Sequence, residues 1–123
     1  MKDFIMVGLG GFIGSAARYA VYLWTIKNYA DKPYSATLIV NLAGCLLIGI
    51  LSGGLIKLNN QSSLFLIAGL CGGFTTFSTF ALDGLKLIRE GLLMQFLFYS
   101  AISLIGGLAL CSLGFFLTNR FYQ

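Results

Sequence analysis

The side chains best suited to chemistry lie in one run inside an apolar stretch, Gly72-Gly73-Phe74-Thr75-Thr76-Phe77-Ser78-Thr79-Phe80. On a helix, its phenylalanines at intervals of three form one stripe of rings beside a stripe of hydroxyls. Aromatic ring edges are positive, so edges turned inward can stabilise a desolvated anion. Conduction requires that the ion bind favourably enough to enter the path and weakly enough to leave it. The run therefore predicts a path for a small anion, although such a stripe is also typical of plain helix packing.

The same run is a poor sequence for a continuous membrane helix, because two glycines precede a row of hydroxyl residues. We expect the helix to break there. Non-helical backbone at membrane depth is tolerated only where protein or water covers it. The second half-helix would direct positive N–H groups at the gap, and the first would direct carbonyls at it. An anion suits the first of these ends and a cation suits the second.

Isolated polar residues occur in the other apolar stretches, where each is costly and needs a partner or a function. Arg18 has no acid in its own stretch, so it either reaches toward the membrane surface or faces a water-filled entrance. Asn41 offers two N–H donors, to an interhelical hydrogen bond or to an anion. Tyr99 and Ser103 share a helix face at i, i+4. Asp83 is either a charge at the end of its helix or a neighbour of the anion path.

A membrane scaffold must position these residues. Of 123 residues, 58% are hydrophobic and 10% are charged, whereas soluble domains carry roughly 25% charged residues. A helical span needs about 20 apolar residues. The sequence accommodates four spans with short connections, at roughly 4–26, 34–55, 62–85 and 92–117. We therefore predict an all-α membrane protein in which residues 1–123 form one transmembrane domain of four helices, the third of them broken.

Glycine spacing predicts how these helices pack. Three pairs four residues apart allow helix backbones to approach closely: Gly10 with Gly14, Gly49 with Gly53, and Gly69 with Gly73. The N-terminal stretch also resembles a cleaved signal peptide, since Lys2 precedes an apolar run that ends in small residues. We expect the stretch to be retained, because a disposable segment has no use for packing glycines and for Arg18.

Basic residues are shared almost equally between the two ends of the predicted spans. With both termini on one side, the tally is three against four: Lys2, Lys57 and Arg120 against Lys27, Lys32, Lys86 and Arg89. An even tally gives little orientational preference. We predict dual topology and an antiparallel homodimer, with a single topology set by the insertion machinery as the alternative. Because the net charge of +4 is spread singly over span ends, we expect no nucleic-acid partner.

Several functional classes lack the residues they need. Without histidine, and with Cys45, Cys71 and Cys111 in apolar stretches, transition-metal sites and disulfides are disfavoured. No nucleophile, base and orienting group occur together, so we predict that the chain is not an enzyme. A small proton-coupled multidrug exporter is the alternative transporter, but it needs an acid in the first span, near which only Asp3 occurs. A membrane assembly factor would use the glycines but not the broken helix.

Over its whole length the sequence resembles the Fluc family of fluoride channels, also called CrcB proteins. The resemblance is carried by the segment Gly-Gly-Phe-Ile-Gly-Ser-Ala-Ala-Arg at 10–18, by Asn41 with Gly44, by the run 72–80, and by the four-span length. It implies a dual-topology antiparallel homodimer with two parallel pores. Such a channel in the cell (inner) membrane exports toxic fluoride passively from the cytoplasm.

The resemblance also implies site residues. Those matching pore positions are Asn41, Phe77, Phe80, Ser78, Thr79, Tyr99 and Ser103, and Arg18 matches a vestibule arginine. A structural sodium ion (Na+) would be held by the backbone carbonyls of Gly72 and Thr75. Two departures stand out: Asp83 occupies the place of a longer glutamate, and the fourth span continues beyond Ser103 with Gly106, Gly107 and Cys111 instead of hydroxyls. The length of the hydroxyl track is therefore open.

Overall fold

The computed structural model describes residues 1–30, 32, 34–54 and 60–121, and its architecture is four long apolar helical spans. The elements are α1 (Lys2–Asn28), α2 (Ser35–Gly54), a third span (Asn60–Arg89) divided into α3 (60–74) and α4 (Phe77–Arg89), and α5 (Leu93–Arg120). Each span is long and apolar enough to cross a bilayer, which confirms the predicted all-α, multi-pass membrane protein. The predicted end of the second span, residue 55, lies outside the described residues.

The third span runs one turn further than predicted, to Arg89. Two basic residues in its last turn favour this extension, because they interact with the negative end of the helix dipole. Gly91 then adopts a φ of 76°, which glycine tolerates without strain. Its N–H bonds to the Ile88 carbonyl at 3.0 Å, and the Leu92 N–H bonds to the Leu87 carbonyl at 2.9 Å. These two bonds form a Schellman cap that ends the helix.

Helix α1 packs against α3 through facing glycines. A Cβ atom built on Gly69 or Gly73 would lie 2.8 or 2.5 Å from a backbone oxygen of α1, and Gly10 and Gly14 are crowded in return by the backbone of the third span. Helix α2 packs on α5 in the same way, since a Cβ on Gly114 would lie 2.6 Å from a backbone oxygen of α2. The predicted glycine contacts are confirmed.

Gly10→Ala is expected to destabilise the protein by roughly 1–3 kcal/mol, the usual range for overpacking a close contact. The new methyl would lie 2.9 Å from the Leu70 backbone nitrogen and closer still to the Phe65 carbonyl oxygen. Gly8→Ala, in the same helix, is the control, because a Cβ there meets no heavy atom of the described residues within 4 Å. Denaturation in mixed micelles measures the difference. Equal stability of the two variants would contradict the close contact.

Only a small apolar core is buried inside the described part of the chain. Its members are Ala36, Val40, Leu51, Cys71, Leu87 and Tyr99. Most large apolar side chains, by contrast, point outward. This is the expected arrangement for helices whose outer faces meet lipid or another protein, because lipid tails are as apolar as the side chains they contact.

Candidate functional site

The third span leaves the helical conformation at Thr75 and Thr76, whose φ/ψ angles are −86°/160° and −154°/118°. Helix resumes at Phe77, and the Thr76 hydroxyl caps it by accepting the Thr79 N–H at 3.2 Å. Threonine suits both tasks, because its branched side chain favours extended backbone and its oxygen is a good helix cap. The predicted break is confirmed within the run 72–80: it lies at Thr75 and Thr76, whereas the Gly72–Gly73 pair at the start of the run remains helical.

Asn41 of α2 holds the break in place. Its Nδ2 donates to the Thr76 carbonyl at 3.0 Å, and its Oδ1 accepts the Thr76 N–H at 2.8 Å. Both backbone groups of one extended residue are thus satisfied by one amide, in a region where an unpaired group costs several kcal/mol. The interhelical hydrogen bond proposed for Asn41 is therefore present. The amide has a second N–H, so this bond does not exclude a contact with an anion.

Arg18 of α1 also reaches the break. Its Nη1 donates to the Thr75 carbonyl oxygen at 3.4 Å, and the residue is half-buried. The Thr75 hydroxyl donates to the Cys71 carbonyl at 2.9 Å, and the Thr75 methyl group packs against Gly44 of α2. Three helices therefore converge on two extended residues, and the arginine is directed at the break instead of toward the membrane surface.

A cavity of about 460 Å³ lies on one side of the break; we call it the phenylalanine cavity. It is bordered in part by two stretches of wider, π-helical winding, Leu64–Cys71 and Ile102–Gly106, a winding that is frequent at functional sites. Its polar and aromatic lining comprises Asn41, Thr75, Thr76, Phe77, Phe80, Ser100 and Ser103, and Gly72 and Cys45 also line it. Six of the predicted site residues are thus brought together around one space: Asn41, Gly72, Thr75, Phe77, Phe80 and Ser103.

A row of aromatic rings begins at this cavity, which Phe77 and Phe80 line but Tyr99, also predicted to line the pore, does not. The Phe77 and Phe80 ring centroids are 5.7 Å apart, those of Phe80 and Tyr99 are 5.0 Å apart, and Tyr34 extends the row at 5.2 Å from Tyr99. Adjacent rings are tilted by 35° to 49°. Phe77 is 81% exposed in the single chain, whereas Tyr99 is 2% exposed. The row therefore runs from the open side of the break into the chain interior.

A second cavity, of about 430 Å³, lies on the other side of Thr76; we call it the arginine cavity. It is lined by Ser15, Arg18, Tyr19, Tyr22, Thr37 and Thr79, among others. Thr76 borders both cavities. The predicted pore residue Thr79 therefore lies with Arg18 and not with Phe77 and Phe80. Ser78, also predicted to line the pore, is exposed, and its hydroxyl lies 3.3 Å from that of Thr76.

Asp83 is buried, with 8% of its surface exposed, and its Oδ2 accepts the Thr37 hydroxyl at 2.6 Å. It therefore lies inside the bundle rather than at the water-exposed end of its helix. The Tyr99 hydroxyl lies near both residues. A buried carboxylate that accepts the Thr37 hydroxyl thus lies next to the ring row.

Two residues of the phenylalanine cavity, Ser100 and Cys45, were not among the predicted pore residues. Cys45 lies four residues after Asn41, so the same i, i+4 rule that paired Tyr99 with Ser103 points to it. Ser100 is a polar residue inside a span and lies three residues before Ser103, so the i, i+3 rule pointed to it as well.

The chain matches known proteins over nearly its full length. Residues 5–115 match the family described as CrcB-like protein, Camphor Resistance (CrcB). A fluoride-specific ion channel FluC from Azobacteroides pseudotrichonymphae genomovar. CFP2 is 39% identical, over 98% of this chain and 99% of the relative. Relatives of the same name from Chlorobium chlorochromatii (42%, over 89% and 87%) and Desulfotalea psychrophila (43%, over 95% and 92%) are equally similar.

These relatives are named as ion channels, which confirms the prediction that the chain is not an enzyme. The residues matched by the family, 5–115, include the run 72–80, Asn41 and Arg18. The arrangement of a capped helix break between two cavities thus occurs in a multi-pass membrane protein with ion-channel relatives, and the chain belongs to the CrcB family.

Proposed function

We propose that this protein is a fluoride-selective channel of the cell (inner) membrane that lets toxic fluoride leave the cytoplasm passively. The observation that carries the proposal is the near full-length similarity, about 40% identity, to proteins named fluoride-specific ion channels. The phenylalanine cavity supports it chemically, because two phenylalanine rings, the Asn41 residue and two serines line one space, and amide N–H groups, hydroxyls and ring edges all suit an anion. Neutral groups of this kind bind a small anion without trapping it.

A proton-coupled multidrug exporter is less well supported. That mechanism needs an acidic residue in the first span, and α1 has only Asp3, in its first turn. Among the described residues, the buried acid is Asp83 of α4, which accepts a hydrogen bond from Thr37. The named relatives are specific to fluoride, and the arginine cavity favours an anionic rather than a cationic substrate, because Arg18 lines it.

We further propose that the working unit is an antiparallel homodimer with two pores. Three residues around the break are open on one side of the single chain: Phe77 and Ser78 are exposed, and Gly72 meets no atom of the described chain within 4 Å of where its Cβ would be. The Ser78 hydroxyl and the adjoining extended backbone of Thr75 and Thr76, which is only half-buried, are costly in lipid, so protein or water should cover them. A second, inverted copy of the chain supplies that cover and agrees with the even charge tally.

Dual topology has a direct measurement. A C-terminal reporter that is active on only one side of a membrane is expected to show the C-terminus on both sides, in comparable amounts, because basic residues are balanced between the span ends. Adding three lysines to the N-terminus is expected to shift the reporter to one side and to reduce fluoride export. A reporter found on one side only in the unmodified protein would contradict the antiparallel dimer.

The structural sodium ion is proposed to bind the carbonyls of Gly72 and Thr75. The break favours this, since the Thr76 N–H, which would bond to the Gly72 carbonyl in a continuous helix, donates to Asn41 instead. The Thr75 carbonyl accepts a 3.4 Å bond from Arg18 and has a second lone pair. No group of three acidic, cysteine or histidine ligands occurs among residues 1–30, 32, 34–54 and 60–121. Two oxygens from one chain are few for such a cation, so both copies would contribute.

Purified protein in liposomes tests the function. With fluoride inside and a fluoride electrode outside, we expect rapid fluoride efflux, and no chloride efflux from matched liposomes. Flux should not depend on a pH gradient, which separates a passive channel from a proton-coupled exporter. If neither fluoride nor chloride leaves the liposomes, the result would contradict the proposal and favour the assembly-factor alternative.

A further inference from the structure

Two hydroxyls on the wall of the phenylalanine cavity are unused. The oxygen atoms of Ser100 and Ser103 are buried and have no hydrogen-bond partner among the described residues, and both residues line the cavity. A serine or threonine in a helix ordinarily donates to a carbonyl one turn earlier. Thr25 and Thr118 do so in this chain, at 2.7 and 2.8 Å. The two serines of α5 therefore retain donors that the helix does not consume.

One turn after Ser103 on α5, the residue at the same face is Gly107, which has no side chain. A Cβ built on Gly107 would lie 3.2 Å from the Cys45 sulfur of α2. The space beside α5 at this level is thus filled by the thiol, and Cys45 lines the same cavity as the two serines. A thiol is a weak hydrogen-bond donor. Ser100 and Ser103 are the polar residues of α5 that line the cavity, and Cys45 of α2 extends this polar row by one further position.

We propose that Ser100 and Cys45 are anion-contacting residues of the fluoride path, one on each side of Ser103 along the cavity. The inference rests on the proposed function and adds to it two residues that were not among the predicted pore residues. Fluoride is a strong hydrogen-bond acceptor, so as it passes it accepts a hydrogen bond from the hydroxyl of each serine and then from the thiol of Cys45. Because all three donors are neutral, each site stays weak enough for the ion to leave.

Ser100→Ala tests the first residue. We expect fluoride efflux from liposomes to fall by about fivefold, the effect of losing one neutral hydrogen bond. Ser112→Ala is the matched control, since Ser112 is an exposed residue of the same helix and does not line the cavity. Ser100→Cys keeps a donor and should restore part of the flux. Equal flux in Ser100→Ala and Ser112→Ala, with Ser103→Ala slowed, would exclude Ser100 from the path.

The second residue is tested by Cys45→Ala and Cys45→Ser, with Cys111→Ala as the control because Cys111 does not line the cavity. Removal of the donor should slow flux severalfold, whereas the serine hydroxyl, a stronger donor than the thiol, should preserve it. Gel filtration before reconstitution verifies that each variant assembles. Equal flux in Cys45→Ala and Cys111→Ala would exclude the thiol from the path.

Chemical modification gives a readout that does not depend on packing changes. In a protein carrying Cys71→Ala and Cys111→Ala, methyl methanethiosulfonate should block fluoride flux. The Cys45 sulfur forms a mixed disulfide with the reagent, methanesulfinate leaves, and the thiol proton passes to solvent. Fluoride should slow this reaction, and a further Cys45→Ser change should abolish the block. Modification that proceeds without any effect on flux would overturn the placement of Cys45.

Different results would overturn the proposed function and the roles of Ser100 and Cys45. Absence of fluoride flux in the unmodified protein would overturn the proposed function. Normal flux in the unmodified protein, together with variants at residues 45 and 100 that match their controls, would overturn only this inference.

Discussion

Fluoride efflux through Phe80→Leu is expected to be about tenfold slower than through the unmodified protein, or slower still. Phe80 is the ring that joins the row, with centroids 5.7 Å from Phe77 and 5.0 Å from Tyr99. Leucine keeps most of the apolar volume but removes the positive ring edge. Aromatic contacts are worth about 0.5–1.5 kcal/mol beyond burial, and 1.4 kcal/mol corresponds to a factor of ten. Liposome flux with a fluoride electrode measures the change.

Phe116→Leu is the matched control for this experiment. Phe116 lies on α5, is 67% exposed and lines neither cavity, so its replacement should leave flux unchanged. Phe77→Leu, at the open end of the row, should slow flux as well. If Phe80→Leu conducts like Phe116→Leu while the dimer is intact, the ring stripe serves only helix packing and the anion takes another path.

Asn41→Ala is expected to destabilise the protein by roughly 2–5 kcal/mol and to abolish fluoride flux. The change leaves the Thr76 N–H and carbonyl without the bonds of 2.8 and 3.0 Å that they form with Asn41. Each buried backbone group left unsatisfied costs about 1–3 kcal/mol. The break that shapes both cavities would lose its main support, because Thr76 borders each of them. Unfolding in mixed micelles and liposome flux report the two effects separately.

Asn41→Asp removes one of the two hydrogen bonds and adds a charge. An aspartate carboxylate can still accept the Thr76 N–H but cannot donate to the Thr76 carbonyl, and a charge in an apolar interior is costly, so at neutral pH its stability should be no higher than that of Asn41→Ala. Asn28→Ala is the control, since Asn28 is exposed and its 2.7 Å bond to the Trp24 carbonyl lies within one helix. Unchanged stability in Asn41→Ala would contradict the assignment of Asn41 as the support of the break.

The helical spans and their packing faces follow from properties local to the chain. A run of apolar residues long enough to cross a bilayer specifies a span wherever it occurs. Glycines four residues apart specify a close approach, and the contacts of Gly10, Gly69 and Gly73 agree with that prediction. The existence of a break in the third span was predictable on the same grounds, because weak helix formers were concentrated in it.

The break lies within the predicted run 72–80, but which residues of that run leave the helix was not predictable, because two local preferences competed. Glycine lowers helix propensity, yet the Gly72–Gly73 pair stays helical since Gly73 is needed for contact with α1. Thr75 and Thr76 become extended instead. Thr76 in that conformation places its N–H and carbonyl against Asn41, which is 35 residues earlier in the chain. A partner so distant in sequence leaves no trace in the pattern around the break.

Residue spacing was therefore sufficient to predict a membrane protein of four spans, with the third one broken. The same spacing could not show that Arg18 turns to a carbonyl 57 residues later, that Asp83 is buried against Thr37, or that Thr76 divides two cavities. Hydropathy and glycine spacing are properties of one contiguous segment, so the sequence of that segment is enough to recognise them. The hydrogen bonds described above join groups from two helices, and the cavities are lined by three or four helices. Only the packing of the helices brings these groups together.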